Sequence, residues 1–176
     1  MAWCYIDRMG NFNNDGQSSY RLFIDLDGVL VDFDSGVLAL FGKSPEELPP
    51  RVMWPRLAKT SGFYDKLTWM PDGRELWEFT KQYQPIILTG LPIGTWAEPQ
   101  KRAWCQRELG SDIPVITCMS KEKHYKALEA CQDGEKPVLV DDRLKLKERW
   151  EDVGGIFIHH ISAAESIAAL QNLGFD

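Results

Sequence analysis

The chain has 176 residues, a formal net charge of −6 and a pI near 5.1, a balance that argues against broad electrostatic capture of nucleic acid or of an anionic membrane. Its length suits one domain with a buried core and room for a small inserted lobe. The four cysteines, Cys4, Cys105, Cys118 and Cys131, are scattered without C-x-x-C pairing, which fits reduced thiols better than a disulfide frame or a zinc site.

Residues 1–19 contain N-F-N-N-D-G-Q-S-S, polar and without periodicity, and read as a flexible N-terminal extension. Tyr20 to Phe33 follows as Y-R-L-F-I-D-L-D-G-V-L-V-D-F. Leu22, Phe23 and Ile24 form a short apolar run that stops at Asp25, so the expected structure is a buried strand ending in a loop. Asp25 and Asp27 then sit at the C-terminal tip of that strand, the edge of a parallel sheet that faces a ligand crevice. Gly28 supplies the conformational freedom to turn the backbone there. A solvated turn can also read D-x-D-G, but a surface turn has no need of apolar residues on both sides.

The composition changes over residues 34–83, with several prolines and five aromatics between Trp54 and Trp77. V-L-A-L-F at 37–41 predicts one helix, Ser44-Pro45-Glu46-Glu47 an N-cap with Pro at the first helical position, and Gly73 to Tyr83 another helix. The segment is too long for a βα loop and reads as a small helical cap inserted after the first strand. From residue 84 the pattern is regular. Strands are predicted at Pro85 to Thr89, Ile113 to Thr117, Pro137 to Val140 and Gly155 to His159. Helices are predicted at Trp96 to Leu109, Lys121 to Cys131, Leu144 to Glu151 and Ser162 to Leu173. This alternation predicts an α/β three-layer sandwich with a Rossmann-like parallel sheet, its core formed by residues 20–33 and 84–176.

Three further stretches carry chemistry. Thr89 and Gly90 end an apolar run with a hydroxyl and a backbone suited to phosphate oxygens. Lys121 and Lys123 lie near a helix start, where an ammonium balances anionic groups. Val138-Leu139-Val140-Asp141-Asp142-Arg143 ends a buried strand in adjacent acids, whose repulsion a divalent cation relieves. His124, His159 and His160 show no metal-ligand spacing with a cysteine and read as structural or solvated.

D-L-D-G-V-L-V-D resembles motif I of the haloacid dehalogenase-like superfamily of phosphohydrolases, D-x-D-G-x-φ-x-D with φ apolar. Thr89-Gly90 resembles motif II, and Lys123, chosen over Lys121 from the K-H-Y-K-A context, resembles the lysine of motif III. L-V-D-D-R resembles motif IV, in a form especially like the 5′(3′)-deoxyribonucleotidase-like branch, although T-G-L-P departs from the T-S-P-like loop of that branch. The resemblance implies phosphomonoester hydrolysis dependent on Mg²⁺. In that scheme Asp25 is the nucleophile that becomes an aspartyl-phosphate, and Asp27 is the acid and base. Mg²⁺ is held by Asp25, Asp27 through its carbonyl, Asp141 and Asp142, and phosphate by Thr89, Gly90 and Lys123. The implied partner is a small phosphorylated metabolite, a nucleoside monophosphate stacked by Phe33, Phe63, Tyr64 and Trp69. A sugar-phosphate phosphatase and a non-catalytic phospho-ligand module remain open alternatives. No apolar run reaches the roughly 18 residues of a membrane span and the N-terminus lacks a basic-then-apolar pattern, so the expectation is a soluble, cytoplasmic protein.

Overall fold

The computed structural model describes residues 19–176. The expectation of a flexible extension therefore lies outside the described residues, except at Ser19, which opens the first strand. Five parallel strands form one sheet in the order β3-β2-β1-β4-β5: β1 Ser19–Ile24, β2 Ile86–Gly90, β3 Val115–Cys118, β4 Glu135–Asp141 and β5 Ile156–His159. The helices are α1 Phe33–Phe41, α2 Pro50–Lys59, α3 Gly73–Thr80, α4 Ala97–Glu108, α5 Lys123–Ala130, α6 Lys147–Asp152 and α7 Ala163–Gln171.

Alternation along each strand sends successive side chains to opposite faces. Leu22, Ile24, Ile87, Val138, Val140 and Ile158 share one apolar cluster with Leu76 of α3, Trp104 of α4 and Leu170 of α7. Phe23, Leu88, Leu139 and Phe157 belong to a second cluster with Ala127 of α5 and Trp150 of α6. The layers are thus helices, sheet, helices, as the alternating sequence predicts. The two buried tryptophans close the faces, and each finds a carbonyl for its indole N–H: Trp104 Nε1 donates to Leu67 O at 2.9 Å and Trp150 Nε1 to Pro137 O at 3.3 Å. Truncating either to alanine has an expected cost of about 3–5 kcal/mol.

Two features of the long insertion differ from the sequence expectation. Helix α2, which starts at Pro50 and contains Pro55, is not among the helices predicted from the sequence. Pro50 occupies the first turn, where no N–H is needed, and Pro55 costs one hydrogen bond that burial of Met53 and Leu57 offsets. Helix α3 packs against α7, and the Ala163 N–H donates to Asp72 just before α3 at 2.6 Å. The other pieces of the insertion, α1, the 3-10 turn Pro45–Glu47 and α2, reach the sheet's C-terminal edge, where Phe33, Pro45, Met53 and Trp54 line a pocket. Among the described residues no helix is long and apolar enough to cross a membrane.

Candidate active site

The register of β1 and β4 creates the site. Ile24 pairs with Val140, and the Asp25 N–H continues the ladder by donating to Val140 O at 2.9 Å. Both chains then turn away, leaving Asp25 beside Asp141 and Asp142. One carboxylate oxygen from each of these three residues lies within 4.8 Å of the others. Gly28, at φ 75°, makes the crowding possible: a Cβ there would stand 2.5 Å from Asp142 Oδ2. The turn is held by Val31 N–H donating to Leu26 O at 2.8 Å and Gly28 N–H to Val31 O at 2.9 Å. Asp32 then caps α1, accepting from Ser35 N–H at 2.9 Å.

Lys123 sits among the acids, 2% exposed. Its ammonium donates to Asp141 Oδ2 at 2.6 Å and forms an ion pair with Asp25 Oδ1 at 2.8 Å, off the line of a hydrogen bond. Desolvation acts against the ammonium, but the carboxylates of Asp25 and Asp141 raise it overall. Of the two lysines open to choice, Lys123 is the one at the site, whereas Lys121 is exposed in a neighbouring cavity. Burial and the Asp25 charge push the Asp141 carboxyl up to about 6 despite Lys123. Asp142 is pushed up to about 7, by desolvation first and then by Asp25 and Asp141.

A second buried lysine was missing from the sequence reading. Lys101 of α4 is fully buried, and all three of its N–H bonds are used. It donates to Asp27 Oδ2 at 2.7 Å, Thr89 Oγ1 at 2.8 Å and Gly90 O at 2.9 Å, and its ammonium lies 4.5 Å from the centre of the Tyr64 ring. It occurs mid-helix in K-R-A-W, with no local feature that separates it from a solvated lysine. The only sequence signal available was its place on a helix predicted to follow Thr89-Gly90. Burial raises the Asp27 carboxyl, Lys101 opposes that, and Asp25 adds to it.

Thr89 is fully buried one layer below the pocket wall. Because its hydroxyl accepts from Lys101, its own proton is still available to donate. Gly90 lines the pocket, and the absence of a side chain there admits Ser120 Oγ. Ser120 is a further pocket residue the sequence reading missed, and it accepts from the Arg143 guanidinium at 2.8 Å. The Leu91 N–H is taken by Cys118 O at 2.8 Å and so is not available to a ligand.

The pocket has a volume of about 540 Å³, and its lining includes the charged Asp25, Asp27, Asp142 and Arg143 and the aromatic Phe33, Trp54 and Tyr64. The expectation for the aromatics needs correction at two positions. Phe63 is 5% exposed in the core, edge-on to Phe33 and Tyr64. Trp69 faces α4, its indole N–H donating to Glu108 at 2.7 Å and its ring packing on Trp104. Neither lines the pocket, because their apolar area is spent on core packing. The aromatic row at the site is instead Trp54, Phe33, Tyr64 and Trp96, with neighbouring ring centres 5.9, 5.9 and 5.4 Å apart. The histidines stay outside the pocket. His160 binds Ser166 Oγ through Nδ1 at 2.8 Å, His159 Nε2 lies 3.0 Å from Asp142 O, and His124 packs on Tyr125.

The donor set suits a divalent cation. It is all oxygen, and among the described residues the buried Asp27 Oδ1 receives no donated hydrogen, a costly state unless a charge compensates it.

No protein-family model matches the chain, and no curated protein matches it. Solved structures do, among them a protein from Burkholderia xenovorans LB400 named as a haloacid dehalogenase-like hydrolase. It aligns over 89% of this chain and 90% of its own at a TM-score of 0.51 and 12% identity. At that identity the likeness is one of fold.

Proposed function

We propose that the protein is a haloacid dehalogenase-type phosphohydrolase, a Mg²⁺-dependent phosphomonoesterase that works through an aspartyl-phosphate. The observation that carries this reading is the pairing of two carboxylates at one strand tip, each with its own buried lysine: Asp25 with Lys123 and Asp27 with Lys101. An acid with a buried ammonium 2.8 Å away is held in place at the strand tip with its charge balanced, as a nucleophile must be. An acid raised by burial yet still at the pocket is suited to carry a proton.

In the proposed reaction an Asp25 oxygen forms a bond to phosphorus as the bond from phosphorus to the substrate oxygen breaks. Asp27 gives its proton to that departing oxygen. Asp27 then takes a proton from water, the water oxygen attacks phosphorus, and Asp25 and inorganic phosphate are released. In this reading Lys123 supplies a buried positive charge beside the phosphoryl group, Gly90 and Ser120 of the pocket wall receive its oxygens, and Thr89, buried behind them, backs Gly90. Lys101 holds Asp27 and Thr89 in one geometry. The cation would be held by Asp25, the Asp27 carbonyl and Asp142. Asp141 is the poorer ligand, since Lys123 takes its Oδ2 and the Arg143 N–H its Oδ1 at 2.8 Å. A bound Mg²⁺ supplies charge neutralisation to phosphoryl oxygens.

For substrate we propose a small phosphorylated metabolite with a flat aromatic part, a nucleoside phosphate, packed against the half-buried Phe33 and Trp54, with the buried Tyr64 backing Phe33, under a cap built from the insertion that follows β1. What supports this is the aromatic row along the pocket. Phosphate release from nucleoside monophosphates, sugar phosphates and p-nitrophenyl phosphate, with Mg²⁺ or with chelator, tests it. Release should require Mg²⁺, with nucleotides ahead by about tenfold or more in kcat/KM, the size of one stacking contact. No release from any ester in Mg²⁺ would contradict the enzyme reading, and equal rates across the panel would contradict the substrate reading alone.

A further inference from the structure

Beside the catalytic pocket lies a larger cavity of about 810 Å³. Lys121, Arg143, Lys145 and Arg149 line it, with no Asp or Glu on its wall, in a chain whose acidic residues outnumber Lys and Arg 26 to 20. Among the described residues none of these four side chains has a carboxylate within the 4.0 Å of an ion pair. Lys121 and Arg149 also edge a shallow dent that contains Glu122 and Asp152, and those acids stay beyond that distance as well. Four cations gathered without counter-charge repel one another, and an anion placed among them relieves the repulsion.

The cavity opens into the catalytic pocket. Trp54, Leu91, Pro92, Ser120 and Arg143 border both. Arg143 stands at the junction, its backbone N–H on Asp141 Oδ1 and its guanidinium on Ser120 Oγ, each at 2.8 Å. The catalytic pocket also carries Asp32, Asp34 and Glu46, none of which lines the larger cavity, and burial together with Asp32 and Glu46 raises the Asp34 carboxyl. Acids thus collect in the catalytic pocket, and a ligand that extends from it into the adjoining cavity meets cations and no acid on the wall. Trp54 and Trp96, the two ends of the aromatic row, wall the cationic side.

We propose that this cavity binds a second phosphate group of the substrate, carried on the part that departs, so that the preferred substrate is a small aromatic bisphosphate such as a nucleoside phosphorylated at two separate positions. The inference rests on the phosphomonoesterase reading only for the fate of the first phosphate. The second phosphate gains two or more charge-assisted contacts that a monophosphate lacks.

The test uses Asp25→Asn protein in Mg²⁺, so that no ligand is consumed, and titration calorimetry with adenosine 3′,5′-bisphosphate against adenosine 5′-monophosphate. The bisphosphate should bind about tenfold or more tightly, and the advantage should shrink as salt is raised. Adding Lys145→Ala and Arg149→Ala should remove most of the advantage, and both side chains are exposed, so the fold is not at stake. Equal affinity for the two nucleotides, or an advantage untouched by the two substitutions, overturns the proposal. A wild-type protein that hydrolyses no phosphate ester, yet shows the bisphosphate advantage and loses it in the variant, would refute the phosphatase reading and leave the second anion site standing.

Discussion

The two buried lysines hold the two halves of the site in different ways. Lys123, 2% exposed, lies between Asp25 and Asp141, whose side chains are 5% and 0% exposed, so three charges are closed off from water together. Lys101 is equally buried, but its acidic partner Asp27 keeps 28% of its side-chain surface, and its other two acceptors are neutral oxygens. The first lysine neutralises a charge cluster that cannot hydrate. The second fixes the position of an acid that can still reach the pocket. Loss of the first should therefore cost both stability and chemistry, and loss of the second chiefly chemistry.

The largest effect that tests this difference is Lys123→Met. Removing one member of a buried charged set leaves the others uncompensated, at a cost of about 3–5 kcal/mol, measured by chemical denaturation without metal. A loss below about 1 kcal/mol would show that the acids are already protonated or hydrated. Lys101→Met should lose less stability, because Asp27 can take water in place of the ammonium. It should lower kcat/KM on alkyl phosphates by about a hundredfold, and less on p-nitrophenyl phosphate, whose departing oxygen needs little protonation. Equal stability losses in the two variants would erase the distinction between them.

The same pair shows what a sequence displays and what it hides. Asp25, Asp27, Asp141 and Asp142 follow short apolar, β-prone runs that read as buried strands, and parallel strands end at one edge, so their convergence was legible before any coordinates. Lys123 was singled out only by its resemblance to the motif III lysine in the K-H-Y-K-A context, since a lysine at a helix start is equally a solvated one. Lys101 was not, because its burial follows from how α4 lies across β2, a tertiary relation with no local mark. Ser120 was hidden for a similar reason, since its approach depends on the empty space at Gly90. Helix α2 was not predicted, its prolines giving no clear helix signal, and the parts of Phe63 and Trp69 were misjudged because an aromatic residue in an insertion looks alike whether it faces a ligand or the core.

A smaller effect concerns the carboxylates when no metal is bound. Asp142 is pushed up to about 7 in the folded chain from an ordinary 3.8, and Asp141 to about 6. Between those values the folded state holds protons that the unfolded state has released, so stability falls as pH rises through that range. The metal-free melting temperature should drop from about pH 5 to about pH 8, and Mg²⁺ should flatten the slope while raising the curve. A metal-free melting temperature independent of pH would mean that the acids are not crowded as described. Smaller still, Trp69→Ala should cost about 1–3 kcal/mol through lost packing and the lost Glu108 hydrogen bond and should not alter substrate preference. Trp54→Ala should alter preference with little loss of stability. The reverse pattern would return Trp69 to the site.

The most direct test of the central claim is turnover of p-nitrophenyl phosphate in Mg²⁺ by the wild type and by Asp25→Asn, with the melting temperature of each recorded alongside. If Asp25 is the group that bonds to phosphorus, the variant should stay folded and lose at least about a thousandfold in kcat, more than 4 kcal/mol of barrier. A folded Asp25→Asn protein that retains turnover within about tenfold of wild type would contradict the assignment.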